Sequence, residues 1–272
     1  MRVLALCGTQ LRHRFVLAAW QQQLDLVGVI FQQRPLVPAK AFQNMWYRRE
    51  DLELEQRHLQ RLSETEQAFF PPTAASASVP TLEVASRDEL NHPQLLRWAA
   101  ERRADVLLDY GSLLLGAAWF DLGIPWMINL HGGLSPWFRG SATLLWPLIL
   151  GQPECLGATL HALEPPIDGG GIYQHVRPAL DPADDPATIG CKTVAAAALA
   201  SLQLMDLLQS SGSLQARPQK QSGKLFLERD YKPALLWTAY RNLEQGMIRH
   251  YLDHRGEYDA RLELADPLGL ER

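Results

Sequence analysis

Cysteine is scarce: Cys7, Cys155 and Cys191 are all that 272 residues contain. An odd number without CxxC or Cys/His metal spacing argues against a disulfide framework or a zinc site, and it points to a reducing, cytoplasmic setting. Long hydrophobic runs are also missing. The opening MRVLALCG is too short for a signal core or a membrane span, so it is expected to be a first buried strand. Neither sign of charge dominates: 26 Lys and Arg stand against 30 Asp and Glu, a formal net charge of -4. That balance leaves no electrostatic footprint for nucleic acid or an anionic membrane. What is present is ordinary for a globular chain, with 47% hydrophobic and 21% charged residues. The length can bury one large core, with or without a smaller appendage.

Short apolar runs recur along the chain: RVLALC from Arg2, LVGVIF from Leu26, TLEVAS from Thr81, DVLLDY from Asp105, WMINL from Trp126 and GATLHAL from Gly157. Helical periodicity lies between most of them, as at 10–22, 94–102 and 141–150. This alternation predicts an α/β fold over residues 1–210, a Rossmann-like, mostly parallel sheet with helices on both faces. Asn91-His92-Pro93 and Asp185-Pro186 carry capping residues and a first-turn proline, the second for a helix running to about residue 210.

Residues 42–70 are charge-rich, with Leu52, Leu59, Leu62 and Phe69 at helical spacing. They are expected to form an inserted helix or helical pair covering one end of the sheet, with a dimer contact or a substrate lid as alternatives. PPTAASASVP from Pro71 reads as a return loop. Residues 211–272 are expected to be a linker and a small C-terminal appendage. The appendage would hold a strand and then one helix with Leu235, Leu236, Tyr240, Leu243, Met247 and Tyr251 along one face. A homodimer through the tail or the insert is one expectation for assembly.

The chemistry concentrates in NLHGGLSPWFRG, from Asn129, directly after an apolar strand. Loops in that position are where α/β proteins keep functional groups. Asn129 and His131 are two apart at a strand end, so their side chains are expected on one side. Asp168, in EPPIDGGG, ends another strand and is expected to reach the same crevice. An amide, an imidazole and a carboxylate suit acyl transfer without a nucleophilic Ser or Cys, because they supply donors for an oxyanion and a base for the attacking group. Taken singly, a strand-end histidine is more often structural, and an aspartate before glycines more often a turn former.

The stretch from DYGSLLLGAAWF, at Asp109, to IDGGGIYQ, ending at Gln174, resembles the core of the N10-formyltetrahydrofolate-dependent formyltransferases. The shared marks are Asn129-Leu130-His131, a Leu134-Ser135-Pro136 loop ending in Arg139-Gly140, and His161 followed by Asp168-Gly169-Gly170. The resemblance is strong over 104–180, extends over 1–200, and stops before the tail. It implies N10-formyltetrahydrofolate as co-substrate and direct transfer of its formyl carbon to a primary amine. Asn129 and His131 would stabilise the oxyanion, while Asp168 would orient His131 and take the amine's proton. It further implies Leu113 and Leu115 at the backbone edge of the pterin, Phe120 and Met127 in its apolar wall, and Pro165 to Ile167 in the loop closing over it. His161 would shape that loop.

Two departures bear on the acceptor. HGGLSP stands where the family commonly has HPSLLP, and CGTQLRHRF stands where a glycinamide ribonucleotide enzyme has a Gly/Ser-rich phosphate loop. The second argues against that ribonucleotide. The expected acceptor is a small molecule, the amine of a nucleotide-linked amino sugar, with Trp46, Tyr47, Trp237 and Tyr240 as candidates to stack on a base. An amino-acid side chain or peptide is the alternative acceptor, and hydrolysis to formate the alternative reaction. No metal, nucleic acid or membrane partner is expected.

Overall fold

The computed structural model describes residues 1–33, 47–71, 79–220 and 223–268. In chain order the elements are β1 (Arg2–Gly8), α1 (Leu11–Gln23), β2 (Asp25–Gln32), α2 (Arg49–Phe69), β3 (Thr81–Val84), α3 (Arg87–Leu90), α4 (Pro93–Glu101), β4 (Val106–Tyr110) and α5 (Ala117–Phe120). There follow β5 (Trp126–His131), β6 (Phe138–Gly140), α6 (Trp146–Leu150), β7 (Ala158–Ala162), β8 (Ile172–Val176), α7 (Pro186–Ser211), β9 (Lys224–Phe226), α8 (Leu235–Glu244), α9 (Met247–Asp253) and α10 (Arg255–Asp259). The main sheet has the order β3-β2-β1-β4-β5-β7-β8, and β6 pairs with β9 in a small second sheet. This is the expected Rossmann-like α/β class. The sheet is mixed because β8, which no apolar run announced, pairs antiparallel with β7.

By internal contacts the chain forms two compact units, residues 1–45 with 70–130, and residues 46–69 with 131–272. In the first unit β1 pairs in parallel with β2 and β4, β2 with β3, and β4 with β5. Val3 to Cys7 are wholly buried and Val106 to Tyr110 are buried throughout, as expected for parallel strands covered on both faces. Helix α4 starts on His92, whose side chain accepts from the Gln94 N–H, with Pro93 at the first turn.

The second unit is built around Phe138, Trp146, Leu148, Ile149, Leu156 and Ile189. Phe226, Ala239 and Ile248 complete the same core. Residues 211–272, expected to be a linker and an appendage, therefore share this unit's core instead of standing apart from it. In this division the second unit runs on from His131 through the tail. The reason is physical: β9 hydrogen-bonds to β6, and Phe226 stacks on Trp146 with ring centroids 4.4 Å apart and on Phe138 at 5.6 Å. The single tail helix is two helices, because Gly246 takes φ +83° between α8 and α9. The helix expected over 141–150 shortens to α6.

Helix α2 confirms the inserted helix but not its buried face. Leu52, Leu59 and Phe69 are exposed, whereas Asp51, Leu54, Thr65 and Glu66 are buried. The partners are polar: Trp237 Nε1 donates to Asp51 Oδ1 at 2.9 Å, Tyr240 Oη meets His58 Nδ1 at 3.0 Å, and Arg61 pairs with Asp185 at 2.7 Å. The aromatic side chains of Trp237 and Tyr240, expected as stacking platforms, fasten α2 to α8. Trp46 and residues 42–45 of the insert lie outside the described residues, as do positions 72–78 of the return loop. Asp185 also caps α7, accepting from the Thr188 N–H at 2.8 Å in a capping box. Helix α7 is long and apolar enough to cross a membrane by length and composition, and 61% of that apolar stretch is buried inside the protein, as in a core helix.

Candidate functional site

The second unit holds a compact cluster of titratable groups. His131 ends β5, His161 lies in β7, and Asp168 sits in the turn between β7 and β8. His131 Nδ1 is 3.5 Å from Asp168 Oδ2, and His161 Nε2 is 3.6 Å from Asp168 Oδ1. Each imidazole turns its other nitrogen to a backbone carbonyl: His131 Nε2 to Phe138 at 3.0 Å, His161 Nδ1 to Ala162 at 2.7 Å. A carbonyl only accepts, so those outer nitrogens carry the protons and both inner nitrogens face the carboxylate. The Gly140 N–H donates to Asp168 Oδ2 at 2.7 Å.

Local sequence explains the placement. Asp168 has φ +47°, a conformation that Asp tolerates better than most residues. A Cβ on Gly170 would lie 1.9 Å from the Ala162 carbonyl oxygen, so the turn closes against β7 only with glycine there. In HGGLSP the second glycine matters most. A Cβ on Gly133 would lie 2.7 Å from His131 Nε2 and 2.9 Å from the Phe138 oxygen, in the space that their hydrogen bond needs. At Gly132 a Cβ would meet only Leu144, at 3.7 Å. The loop is tied down by Thr143 Oγ1, which donates to the Gly132 carbonyl. Thr159 Oγ1 donates to the Gly133 carbonyl at 2.6 Å and accepts from the Ser135 N–H at 2.9 Å.

Electrostatics separate the members. Burial raises the Asp168 carboxyl, but His131, His161 and the Gly140 N–H outweigh it and hold Asp168 well below the ordinary carboxylate range. Burial is also the main influence on His131 and lowers it, against the pull of Asp168. Asp168 is thus a fixed carboxylate that favours a proton on the inner nitrogen of His131, while burial opposes it. Arg139, buried on β6, donates from Nη2 to the Gly223 carbonyl at 3.0 Å and from Nη1 toward the Ile167 carbonyl at 3.5 Å.

A third histidine braces the loop. His175 Nδ1 accepts from the Ala265 N–H at 2.8 Å, so its Nε2–H donates to the Ser135 carbonyl at 2.7 Å. Burial, reinforced by Arg217 and Arg177, pushes His175 down from the ordinary imidazole range to about 4. The unfolded chain takes up this proton near pH 6.5 and the folded chain only near pH 4. The corresponding stability is complete above pH 6.5 and is lost as the pH falls toward 4, by about 3 kcal/mol. Melting curves of the native protein and of His175→Gln across that range test this: the native midpoint should fall more steeply. Parallel curves would disprove the assigned tautomer.

The first unit carries Asn129, opposite Asp109 in the register of β4 and β5. Met127 and Asn129 are half-buried while Ile128 and Leu130 are buried, which puts the first two on the other face of the strand. After β4, residues 111–116 form a tightly held loop. The Leu113 N–H donates to Gln32 Oε1 at 2.8 Å, and Ser112 Oγ donates to the Leu113 carbonyl at 2.9 Å. Asn91 accepts from the Gly116 N–H at 2.5 Å and donates to the Leu114 carbonyl at 3.3 Å. Both peptide groups of Leu113, expected at a pterin edge, are therefore engaged inside the unit. Gln32 is fully buried, and its Nε2 has no hydrogen-bond partner among the described residues. Leu115 and Met127 are half-buried and Phe120 is exposed; in the second unit Pro165 is exposed and Ile167 half-buried.

Sequence reasoning passed over Gln32, His175 and Gln219, and took Asn91 only as part of a helix-start signal. Gln32 is a polar residue at the end of a strand, without a pattern to mark it. Residue His175 stands in the unannounced β8, and Gln219 in a stretch that reads as linker.

No family model matches the sequence. Among solved structures, a sugar N-formyltransferase from a Shewanella species is similar, with TM-score 0.55 and 13% identity, over 85% of this chain and 78% of that one. A phosphoribosylglycinamide formyltransferase from Anaplasma phagocytophilum aligns with TM-score 0.54 and 16% identity, over 84% of this chain and 98% of that one. An N-formyltransferase from Helicobacter canadensis, solved with folinic acid and dTDP-3-aminofucose, aligns with TM-score 0.50 and 13% identity, over 85% of this chain and 73% of that one. The chain has the fold of the sugar N-formyltransferases and phosphoribosylglycinamide formyltransferases.

Proposed function

We propose that this chain is an N-formyltransferase that uses N10-formyltetrahydrofolate to formylate a primary amine, the amine of a nucleotide-linked amino sugar. The carrying observation is the His131–Asp168–His161 cluster, in which a carboxylate held ionised faces two imidazoles whose outer protons are fixed by carbonyls. The folate brings an activated formyl carbon. Residues suited to it are Leu113, Leu115, Phe120 and Met127 in the first unit and Pro165 and Ile167 in the second. The donor set fits a heterocycle rich in acceptors: the buried Gln32 amide has spare N–H groups at Nε2, next to an apolar loop with Leu114 exposed.

In this reading Asn129 supplies an amide donor for the oxyanion. Asp168 receives the proton that the amine loses on attack. His131 Nδ1, the inner nitrogen, shares that proton with Asp168 and passes it on to the leaving nitrogen, so the pair ends the cycle as it began. Phe138 and Gly140 keep the two groups aligned through their backbone contacts.

Support for a sugar acceptor comes from the similar structures, among them a sugar N-formyltransferase and an N-formyltransferase solved with dTDP-3-aminofucose. Against a glycinamide ribonucleotide stands CGTQLRHRF after β1, where Gln10 at the N-cap of α1 makes no side-chain capping bond and no Gly/Ser-rich phosphate loop is present. The decisive experiment is absorbance-monitored turnover of N10-formyltetrahydrofolate, alone and against a panel of nucleotide amino sugars and diamino acids, with product masses. A gain of one formyl group on a sugar nucleotide is the expected result. Turnover without amine would replace transfer by hydrolysis, and formylation confined to diamino acids would overturn the sugar.

A further inference from the structure

The stretch after α7 reads as a linker, yet its side chains and backbone converge on the Asp168 turn. Gln219 Nε2 donates to the Asp168 carbonyl at 2.9 Å and to the Gly170 carbonyl at 2.7 Å. Two N–H bonds from one amide thus span the turn on both sides of Gly169. The reverse orientation of the amide would set its oxygen against two carbonyls, so the donor face is fixed. Just before it, Arg217 exchanges both backbone hydrogen bonds with Ile172 at 2.8 Å each. Beyond it, the Gly223 carbonyl accepts from Arg139, which also reaches toward Ile167. Gly223 lies so close to the Pro136 carbonyl that a Cβ would come within 1.5 Å of it. Finally Phe226 pairs with Gly140, the residue whose N–H holds the Asp168 carboxylate.

We infer that residues 217–220 and 223–226 form a strap over the catalytic turn, and that Gln219 is a positioning residue for Asp168. The strap binds the turn by its peptide groups and leaves the Asp168 carboxylate for the histidines. Released from these two carbonyl contacts, the turn shifts and carries the carboxylate away from His131. The inference rests on the catalytic role of Asp168 proposed above.

The test uses the full chain with Gln219→Glu, which keeps the shape but loses the donors, and Gln219→Leu, which loses both donor and acceptor. Expected in each is a kcat lowered about 10²-fold, with KM for the folate within about threefold and the melting midpoint within a few degrees of native. The acid limb of the kcat profile should move to higher pH, because Asp168 is less firmly held against His131, His161 and the Gly140 N–H, with the Arg139 cation reaching the neighbouring Ile167 carbonyl and Glu164 and Lys220 the charged residues nearest in the chain. A merely structural role would lower the melting midpoint and leave the acid limb unmoved. Native kcat and an unmoved limb in both variants would overturn the inference, provided Asp168→Asn is inactive. An active Asp168→Asn would instead remove the reading on which it rests.

Discussion

Exchange of Asp168 for asparagine is expected to lower kcat about 10³-fold with little change in stability. Asparagine has nearly the shape of aspartate and adopts the left-handed conformation readily, so φ +47° costs it little. Its amide oxygen can still accept from Gly140, which now meets Asp168 Oδ2 at 2.7 Å. What it lacks is the negative charge facing His131 at 3.5 Å and His161 at 3.6 Å. Without it a proton arriving on the buried His131 has no counter-charge, and the burial that already lowers His131 acts unopposed. The measurement is kcat and KM for both substrates, with the melting midpoint as control. A folded Asp168→Asn protein retaining more than about a tenth of native kcat would show that the carboxylate is not the proton acceptor.

The strongest sequence signals were those whose physics is local. Val3 to Cys7 is a continuous apolar run, and Val106 to Leu108 a shorter one, because parallel strands are covered on both faces, and such runs are visible without a partner. Asp168-Gly169-Gly170 is visible because a tight turn needs an aspartate that tolerates positive φ and a glycine against the Ala162 carbonyl. The Asn129-x-His131 pair is visible as two polar residues two apart at the end of an apolar strand. All of these read out within a few residues.

What was not legible depends on partners far along the chain. The expected tail strand is β9, but its partner β6 has only three residues, too few for any periodicity, and the two pair where Phe138 and Phe226 meet in one core. The buried face of α2 carries Asp51, Thr65 and Glu66, so hydrophobic spacing selected the opposite, exposed face. Burial of Asp51 is tolerable only because Arg48 pairs with it at 2.7 Å and Trp237 donates to it, and Trp237 lies on α8. Gly246 interrupts the tail helix, yet the spacing from Leu243 to Met247 still matches a single helix, so the break is hidden. Gln219 shows the same limit at the site: nothing in ARPQKQSG suggests a ligature for a turn some fifty residues upstream, since |i−j| is 51 to Asp168.

Replacing Phe226 with alanine should destabilise the protein by about 3–5 kcal/mol, the usual cost of deleting a buried aromatic ring from a packed core. Phe226 is 1% exposed and lies against Trp146 and Phe138 in near-parallel stacks, with interplanar angles of 21° and 4°. Its backbone pairs with Gly140, where φ is +93° and a Cβ would come within 2.0 Å of the Phe226 oxygen. The ring therefore wedges β9 against β6 at the point where Gly140 holds Asp168. Single domains are stable by only about 5–15 kcal/mol, so this one truncation removes a large share. Two results are expected together from urea melts: a markedly lower midpoint, and loss of turnover at denaturant concentrations where the native chain is still active. If residues 211–272 were instead an independent appendage, the variant would cost under about 1 kcal/mol at the main transition, as surface substitutions do. A small early transition would then appear by itself, with turnover unchanged until the main one. A tail that contributes Phe226, Ala239 and Ile248 to the core around Phe138 requires the first outcome.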